Sequence, residues 1–152
     1  MIESPVPSVS QSTDSFLLDG KLSELSNLTA ATARFCRENA LADEAGFDLN
    51  LVIEELFMNA IRHGGCEGMA GAIQVNLRAS GNGVAIEFAD QGAPFDLTAA
   101  PAAQLDAPLE ARQNGGLGIH LVRQIVRDLH YERVDGWNRL TMWRPNDGEE
   151  PE

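Results

Sequence analysis

The stretch DLNLVIEELFMNAIRH, residues 48–63, carries the strongest helical pattern in the chain. Its apolar residues recur at the spacing that places them on one side of an α-helix: Leu49, Val52, Ile53, Leu56, Phe57 and Ala60. A glycine pair, Gly64 and Gly65, follows directly and ends the helix. We therefore predict an amphipathic helix whose apolar side lies against the core.

Within this stretch, Glu55 and Asn59 lie one helical turn apart, at the border between the apolar and the polar side. Such a pair can hold Mg²⁺ through the Asn59 carbonyl oxygen, while Glu55 orients or deprotonates a nucleophile beside it. An isolated Glu-x-x-x-Asn is more often a solvated helix surface. Glu54 points about 100° further round the helix and is expected to face solvent.

The composition of the chain excludes two classes of partner. It has 152 residues, with 23 acidic against 11 basic side chains and a formal charge of −12. So acidic a chain repels phosphate backbones and anionic lipids, and without a basic patch we expect no direct nucleic acid and no membrane. No apolar run approaches the roughly 18 residues of a membrane span.

Cys36 and Cys66 lack metal-ligand spacing, which favours reduced thiols in a cytoplasmic protein.

Strand and helix patterns flank the central helix on both sides. The predicted elements, in chain order, are a strand over 16–18, helices over 23–41 and 48–63, a hairpin over 73–88, a helix over 117–129 and strands over 131–134 and 140–143. This order predicts an α+β fold: a two-layer α/β sandwich, with a mixed β-sheet and the helices packed on one face. The 43% of hydrophobic residues is sufficient for one domain with its own core.

Three segments lack the regular spacing of apolar residues that indicates a helix or a strand. Residues 1–14, rich in Ser and Pro, are expected to form a disordered arm, and residues 146–152 an acidic disordered tail. Residues 92–116 are too long for an ordinary connection in a compact domain. A stretch of that length is typical of a disordered loop or of a lid over a site.

Residues 90–94 have the chemistry of a base-binding loop. Asp90 ends the second hairpin strand, so its carboxylate can point into a pocket and accept a hydrogen bond from an exocyclic amine such as that of adenine. Gly92 lets a ligand come close. Taken alone, Asp-x-Gly-x-Pro, which ends at Pro94, is typical of a turn.

A glycine run, Gly115-Gly116-Leu117-Gly118, opens directly into an apolar helix. Backbone N–H groups at a helix N-terminus, together with the helix dipole, suit phosphate groups. A glycine run before a helix is also compatible with a simple hinge. The chain contains neither a P-loop motif nor a dinucleotide-binding glycine motif.

These three motifs, in this order, resemble the N, G1 and G2 boxes of the ATPase superfamily of gyrase, histidine kinases and MutL, the GHKL superfamily. Over about residues 16–145 the chain is most similar to its small anti-sigma-factor serine/threonine kinases. The resemblance implies a Bergerat ATP-binding fold, with a histidine-kinase-like ATPase domain over 15–145 and an ATP lid at about 97–114.

The resemblance also implies roles for single residues. Glu55 would be the general base and Asn59 the ligand of Mg²⁺. Asp90 would bind the adenine amine, with Gly92 and Thr141 completing the base pocket. Arg112 would reach the γ-phosphate. The full set implied in ATP binding is Asn59, Asp90, Gly92, Pro94, Arg112, Gly115, Gly116, Leu117, Gly118 and Thr141.

The function implied is that of an ATP-binding anti-sigma factor, which phosphorylates an anti-anti-sigma (antagonist) protein in a bacterial partner-switching system. A sigma factor and the antagonist would compete for the chain, and the family commonly forms a homodimer. A non-catalytic ATP-binding regulatory module shares every nucleotide contact, so Glu55 is the residue that separates the two functions. A detached ATPase half of a histidine kinase and a purely structural interaction protein are further alternatives.

Overall fold

The computed structural model describes residues 12–94, 96 and 116–146. In this part of the chain the elements are β1 (Ser12–Leu18), α1 (Glu24–Glu38), α2 (Asp43–Arg62), β2 (Ile73–Ser80), β3 (Gly83–Asp90), α3 (Gly116–Ile125), β4 (Arg127–Val134) and β5 (Trp137–Pro145). Residues 1–11 of the predicted arm, the predicted lid over 97–114 and residues 147–152 of the predicted tail lie outside the described residues.

The central helix α2 contacts both α1 and α3. All six residues of its predicted apolar side are buried. The helix begins at Asp43, earlier than the predicted start at residue 48. Ala45 is buried one turn before Leu49, so the apolar side continues into these additional residues.

The strands form one sheet in the order β1-β2-β3-β5-β4, and all four neighbouring pairs are antiparallel. This corrects the prediction of a mixed sheet. Because α1 and α2 form a helical hairpin, the chain returns to the end of the sheet where β1 finished, and β2 runs antiparallel to β1. The segment through α3 does give β4 the same direction as β3, but β5 lies between these two strands.

One face of the sheet packs against the helices. The buried residues alternate along the strands and include Ile73, Val75, Leu77, Val84, Ile86, Phe88, Leu140 and Met142. The intervening residues of β2 and β5 are more exposed. The α+β class, with helices packed on one face of the sheet, is therefore confirmed.

Several elements begin or end at other residues than predicted; β4 begins at Arg127 instead of 131, and β5 begins at Trp137 instead of 140. β1 begins at Ser12, so the end of the predicted arm, residues 12–14, is a strand paired with residues 77–79. Asn146, at the start of the predicted tail, donates from its backbone N–H to the carbonyl of Asn82 at 2.8 Å. The predicted helix over 117–129 ends at Ile125; Arg127 already begins β4, and Asp128 has φ 57°, which a right-handed helix excludes.

A buried ion pair holds α2 over the sheet. Arg144 on β5 donates from Nη2 to Asp48 Oδ2 on α2 at 2.6 Å, and the two side chains are 7% and 22% exposed. The pair lies toward the end of the sheet opposite Asp90, since Arg144 pairs with Val84 whereas Asp90 pairs with Asn138. It therefore fixes the position of α2 without taking part in the cavity described below.

Candidate functional site

A small cavity lies between α2, the end of β3 and the start of β5. Its described lining residues are Leu56, Asn59, Ala60, Gly64, Phe88, Asp90, Ala93, Asn138 and Leu140. Asn59 and Asp90 come from separate sequence motifs, 31 positions apart, and both line this cavity. The fold thus brings together the amide and the carboxylate that the sequence predicts for a single site.

Asn59 is buried on α2, with 8% of its surface exposed. Its side-chain nitrogen Nδ2 has no hydrogen-bond partner among the described residues. An unpaired buried amide costs about 1–3 kcal/mol, and such a group in a cavity is suited to a ligand that completes its bonding. Because a side-chain amide carries both an oxygen and a nitrogen, Asn59 fits the predicted oxygen ligand of Mg²⁺.

Glu55 lies one turn before Asn59 on α2 and is half-buried. Burial raises the pKa of its carboxyl group, the neighbouring Glu54 raises this pKa further, and Arg62 lowers it. Desolvation is the main cause, because it disfavours the charged form. A carboxylate with a raised pKa is a better proton acceptor near neutral pH than an ordinary glutamate. Glu54 accepts a hydrogen bond from Asn50 Nδ2 at 3.3 Å and is half-buried, not fully solvent-facing as predicted.

Asp90 is the last residue of β3, and its carboxylate is held at one oxygen. Oδ1 accepts hydrogen bonds from the Gly92 N–H at 2.8 Å and from Asn138 Nδ2 at 3.0 Å. The Cys66 thiol donates to the same oxygen at 3.9 Å. No described residue donates to Oδ2. The carboxylate is thus oriented, with one oxygen left as an acceptor for a ligand.

Gly92 is required by a chain contact that the sequence does not reveal. A Cβ at this position would lie 2.3 Å from the carbonyl oxygen of Gly64, beyond the end of α2. The N–H of Ala93 donates to the same oxygen at 2.8 Å. Packing between two loops therefore explains the glycine, and not the approach of a ligand that its position after Asp90 predicts. Pro94 follows Ala93 and is exposed.

The structure does not bring Thr141 to the cavity, which corrects its predicted place in the base pocket. Along β5 the buried residues are Asn138, Leu140, Met142 and Arg144, so Thr141 lies on the opposite face of the sheet. There Thr141 pairs with Glu87 and His130.

Asn138 is a polar site residue that none of the sequence motifs indicated. It is 5% exposed, lines the cavity and donates to Asp90. Strand alternation could have identified it, because Leu140 and Met142 mark the inward face and Asn138 has the same parity.

The sequence profile of the histidine kinase-like ATPase domain matches residues 18–144. The chain belongs to this family. It is also 38% identical over 96 residues to the serine/threonine-protein kinase BtrW of Bordetella bronchiseptica, a match that covers 63% of this chain and 68% of the relative. The family resemblance inferred from the three motifs is confirmed.

A solved structure shows the same fold. The RsbU and RsbW domains of Rv1364c from Mycobacterium tuberculosis match with a TM-score of 0.63 and 17% identity, over 93% of this chain. The match covers 33% of that larger chain, so the present chain spans about a third of its length. At this identity the likeness concerns the fold alone.

In this histidine kinase-like ATPase domain, α3 begins at Gly116, so Gly116, Leu117 and Gly118 form its first turn. The first N–H groups of a helix have no partner within the helix and favour an anion. Their contact with phosphates stays a prediction. Gly115 and Arg112, also predicted to contact ATP, lie outside the described residues. Among the described residues, none of the helices combines the length and the apolar character that a membrane span requires.

Proposed function

We propose that this chain is an ATP-binding anti-sigma factor that acts as a serine/threonine protein kinase. It transfers the γ-phosphate of ATP to a serine or threonine of an anti-anti-sigma protein. The observation that carries the proposal is the meeting of Asn59 and Asp90 at one cavity between α2 and the sheet. The identity of 38% to a named serine/threonine-protein kinase supports the reaction type.

The described residues have the chemistry to bind both the base and the phosphates of a nucleotide. Asp90 accepts a hydrogen bond from the adenine amine through Oδ2, because Oδ1 is already bound by Gly92 and Asn138. The first turn of α3 offers backbone N–H groups to the phosphates. Asn59 would hold Mg²⁺ through its amide oxygen, and its buried Nδ2, which has no partner among the described residues, remains available to donate to a ligand. The ion, when bound, neutralises charge on the phosphate oxygens.

Glu55 is the proposed general base. It accepts the proton of the attacking serine or threonine hydroxyl at its carboxylate, one turn before Asn59 on the same helix. Burial, with Glu54 beside it, raises the pKa of Glu55, which strengthens it as a proton acceptor. Arg62 opposes this shift, because its positive charge favours the charged form of the Glu55 carboxyl group.

The proposed partners are an antagonist protein and a sigma factor that compete for a cytoplasmic homodimer of this chain. The formal charge of −12 works against a polyanionic ligand such as ATP, so the site needs Mg²⁺ and local amide groups to bind it. The same charge suits a basic face on the sigma factor. Complex formation that weakens strongly with salt supports this part of the proposal, and formation that is insensitive to salt contradicts it.

The reaction is tested by mixing the full chain with candidate antagonist proteins and ATP labelled at the γ-phosphate, then mapping the phosphorylated residue. The Glu55→Gln variant keeps the size of the side chain but cannot accept the proton. We expect it to bind ATP and to lose transfer by about 10²-fold or more. Glu54→Gln is the matched control on the next position of α2, and we expect it to retain transfer.

Two outcomes contradict the proposal. If no antagonist is labelled while Mg-ATP still binds, the chain is a non-catalytic nucleotide-binding module. If Glu55→Gln transfers phosphate as fast as the wild type and the Glu54→Gln control, Glu55 is not the base.

A further inference from the structure

The buried amide of Asn138 joins three strands at the site. On β5, Asn138 lies opposite Asp90 on β3 and opposite Arg133 on β4. Its Nδ2 donates to Asp90 Oδ1 at 3.0 Å and to the carbonyl of Ala93 at 2.8 Å, and it approaches the carbonyl of Gly92 at 3.4 Å. The nitrogen end of this amide is therefore surrounded by acceptors.

Two donors on β4 fix which end of the amide faces Asp90. The Tyr131 hydroxyl donates to Asn138 Oδ1 at 2.6 Å, and Arg133 Nη1 donates to the same oxygen at 3.1 Å. The two ends of a side-chain amide have nearly the same shape, so hydrogen-bond partners decide its orientation. A turned amide would direct its oxygen at a carboxylate and at backbone carbonyls, with no proton between them. Tyr131 and Arg133 thus exclude that orientation.

The same hairpin holds the backbone that leaves the sheet after Asp90. Arg133 Nη1 donates to the Gly92 carbonyl at 2.7 Å, in addition to its bond with Asn138. The Gly92 N–H in turn donates to Asp90 Oδ1. The carboxylate and the loop beside it are therefore fixed together by the β4–β5 hairpin.

This arrangement has a consequence for ligand selection. With Oδ1 occupied by Asn138 and Gly92, Asp90 meets a ligand in the cavity through Oδ2, which can accept but not donate a hydrogen bond. A purine with a 6-amino group supplies the required proton. A purine with a 6-oxo group places a second acceptor opposite Oδ2. Because the hydrogen bonds at Oδ1 prevent the carboxylate from rotating, the two acceptors repel each other and such a purine binds more weakly.

We propose that Asn138 is a positioning residue for nucleotide selection. Its amide, oriented by Tyr131 and Arg133, holds Asp90 so that the site prefers a 6-amino purine over a 6-oxo purine. The inference rests on the proposed function, because it assigns Asp90 to the base of the nucleotide.

The test compares the dissociation constants of ATP and inosine triphosphate, both with Mg²⁺, by calorimetry on the full chain. For the wild type we expect ATP to bind about tenfold or more tightly than inosine triphosphate, since a hydrogen bond to a charged group is lost. Tyr131→Phe removes one donor to Asn138, and Asn138→Asp replaces the amide nitrogen by an acceptor of similar size. Both variants are expected to reduce the preference for ATP, Asn138→Asp more strongly. Thr141→Ala, on the opposite face of the same strand, is expected to keep it.

The ratio of the two constants separates positioning from a structural role. Suppose that the wild type prefers ATP. If Tyr131→Phe then weakens the binding of both nucleotides equally, or leaves the ratio of their dissociation constants unchanged, this inference alone is overturned. A wild type that binds neither nucleotide overturns the proposed function and this inference with it. If Asn138→Asp does not fold, as judged by its thermal unfolding, Tyr131→Phe decides, because it removes a single hydroxyl from a half-buried residue.

Discussion

Gly92 lies so close to Gly64 that a Cβ at position 92 would be 2.3 Å from the Gly64 carbonyl oxygen. The loop after β3 thus contacts the loop after α2 through main-chain atoms, and the N–H of Ala93 bonds to the same oxygen. Because Asn59 lies near the end of α2 and Asp90 at the end of β3, this contact sets the spacing between them.

We expect Gly92→Ala to separate the two loops. The added methyl group meets backbone atoms, which cannot rotate away as a flexible side chain can, so we expect a loss of about 1–3 kcal/mol in the free energy of unfolding in urea. ATP affinity is expected to fall with it. Gly81→Ala is the control, because nothing lies within 4 Å of a Cβ there. Equal stability of the two variants would contradict the proposed role of the contact.

The Asp48–Arg144 pair provides a prediction about stability. Asp48→Ala leaves the Arg144 guanidinium in a buried position without this carboxylate, which is expected to cost about 3 kcal/mol. Glu132→Ala is the comparison, since Glu132 and Arg139 form a pair at 3.7 Å with 47% and 37% exposed side chains. Exposed pairs contribute about 0–1 kcal/mol. Urea unfolding of both variants checks this, and similar losses would refute it.

The raised pKa of Glu55 predicts how the stability of the fold changes with pH. Its pKa is raised in the folded state, so between the ordinary glutamate pKa and the raised value the folded chain binds more protons than the unfolded chain. Stability is therefore expected to fall as pH rises through this window. Glu55→Gln removes this contribution, so the difference in unfolding free energy between wild type and variant changes across the window. An equal pH profile for the two proteins would show that the shift is absent.

The neighbours of Glu55 shift the pH dependence of phosphate transfer in opposite directions. Transfer is expected to rise with pH as Glu55 loses its proton. Removing the charge of Glu54 lowers the pKa of Glu55, so Glu54→Gln moves this rise to lower pH. Removing Arg62 raises that pKa, so Arg62→Gln moves it to higher pH. Rate profiles of the two variants that shift in the same direction would contradict the assignment.

The two cysteines are free and differ in exposure. Burial and the nearby Asp90 raise the pKa of the Cys66 thiol to about 11, and its side chain is fully buried. Cys36 is partly exposed, although burial also raises its pKa. Because the thiolate is the reactive form, iodoacetamide at mildly alkaline pH is expected to label Cys36 before Cys66. Peptide mapping by mass spectrometry determines which cysteine is labelled first. Earlier labelling of Cys66 would disprove the prediction.

Local patterns predicted much of this fold, because they reflect contacts within one element. The apolar spacing in residues 48–63 predicts the buried side of α2, and the alternation around Gly81 predicts the β2–β3 hairpin. The sheet order was not predictable in this way. Whether β5 pairs with β3, and so separates β4 from it, depends on contacts between segments far apart in the chain.

Local patterns likewise predicted some residues of the site and not others. Asn59 and Asp90 were found because their motifs carry distinctive residue types. Thr141 was assigned by family resemblance alone, and strand alternation places it on the other face of the sheet. Asn138 was missed because the predicted last strand began at residue 140, whereas β5 begins at Trp137. The contact between Gly92 and Gly64 joins loops 28 positions apart and leaves no local signal.

Calorimetric titration of Mg-ATP into the wild type and into Asp90→Asn tests the central claim most directly. Since Oδ1 accepts from Gly92, Asn138 and Cys66, the new amide nitrogen occupies the position of Oδ2 and faces the adenine amine. We predict that the wild type binds Mg-ATP and that Asp90→Asn weakens binding about 10- to 100-fold, whereas Thr141→Ala binds as the wild type does. The absence of binding to the wild type, or equal affinity in Asp90→Asn, would contradict the account.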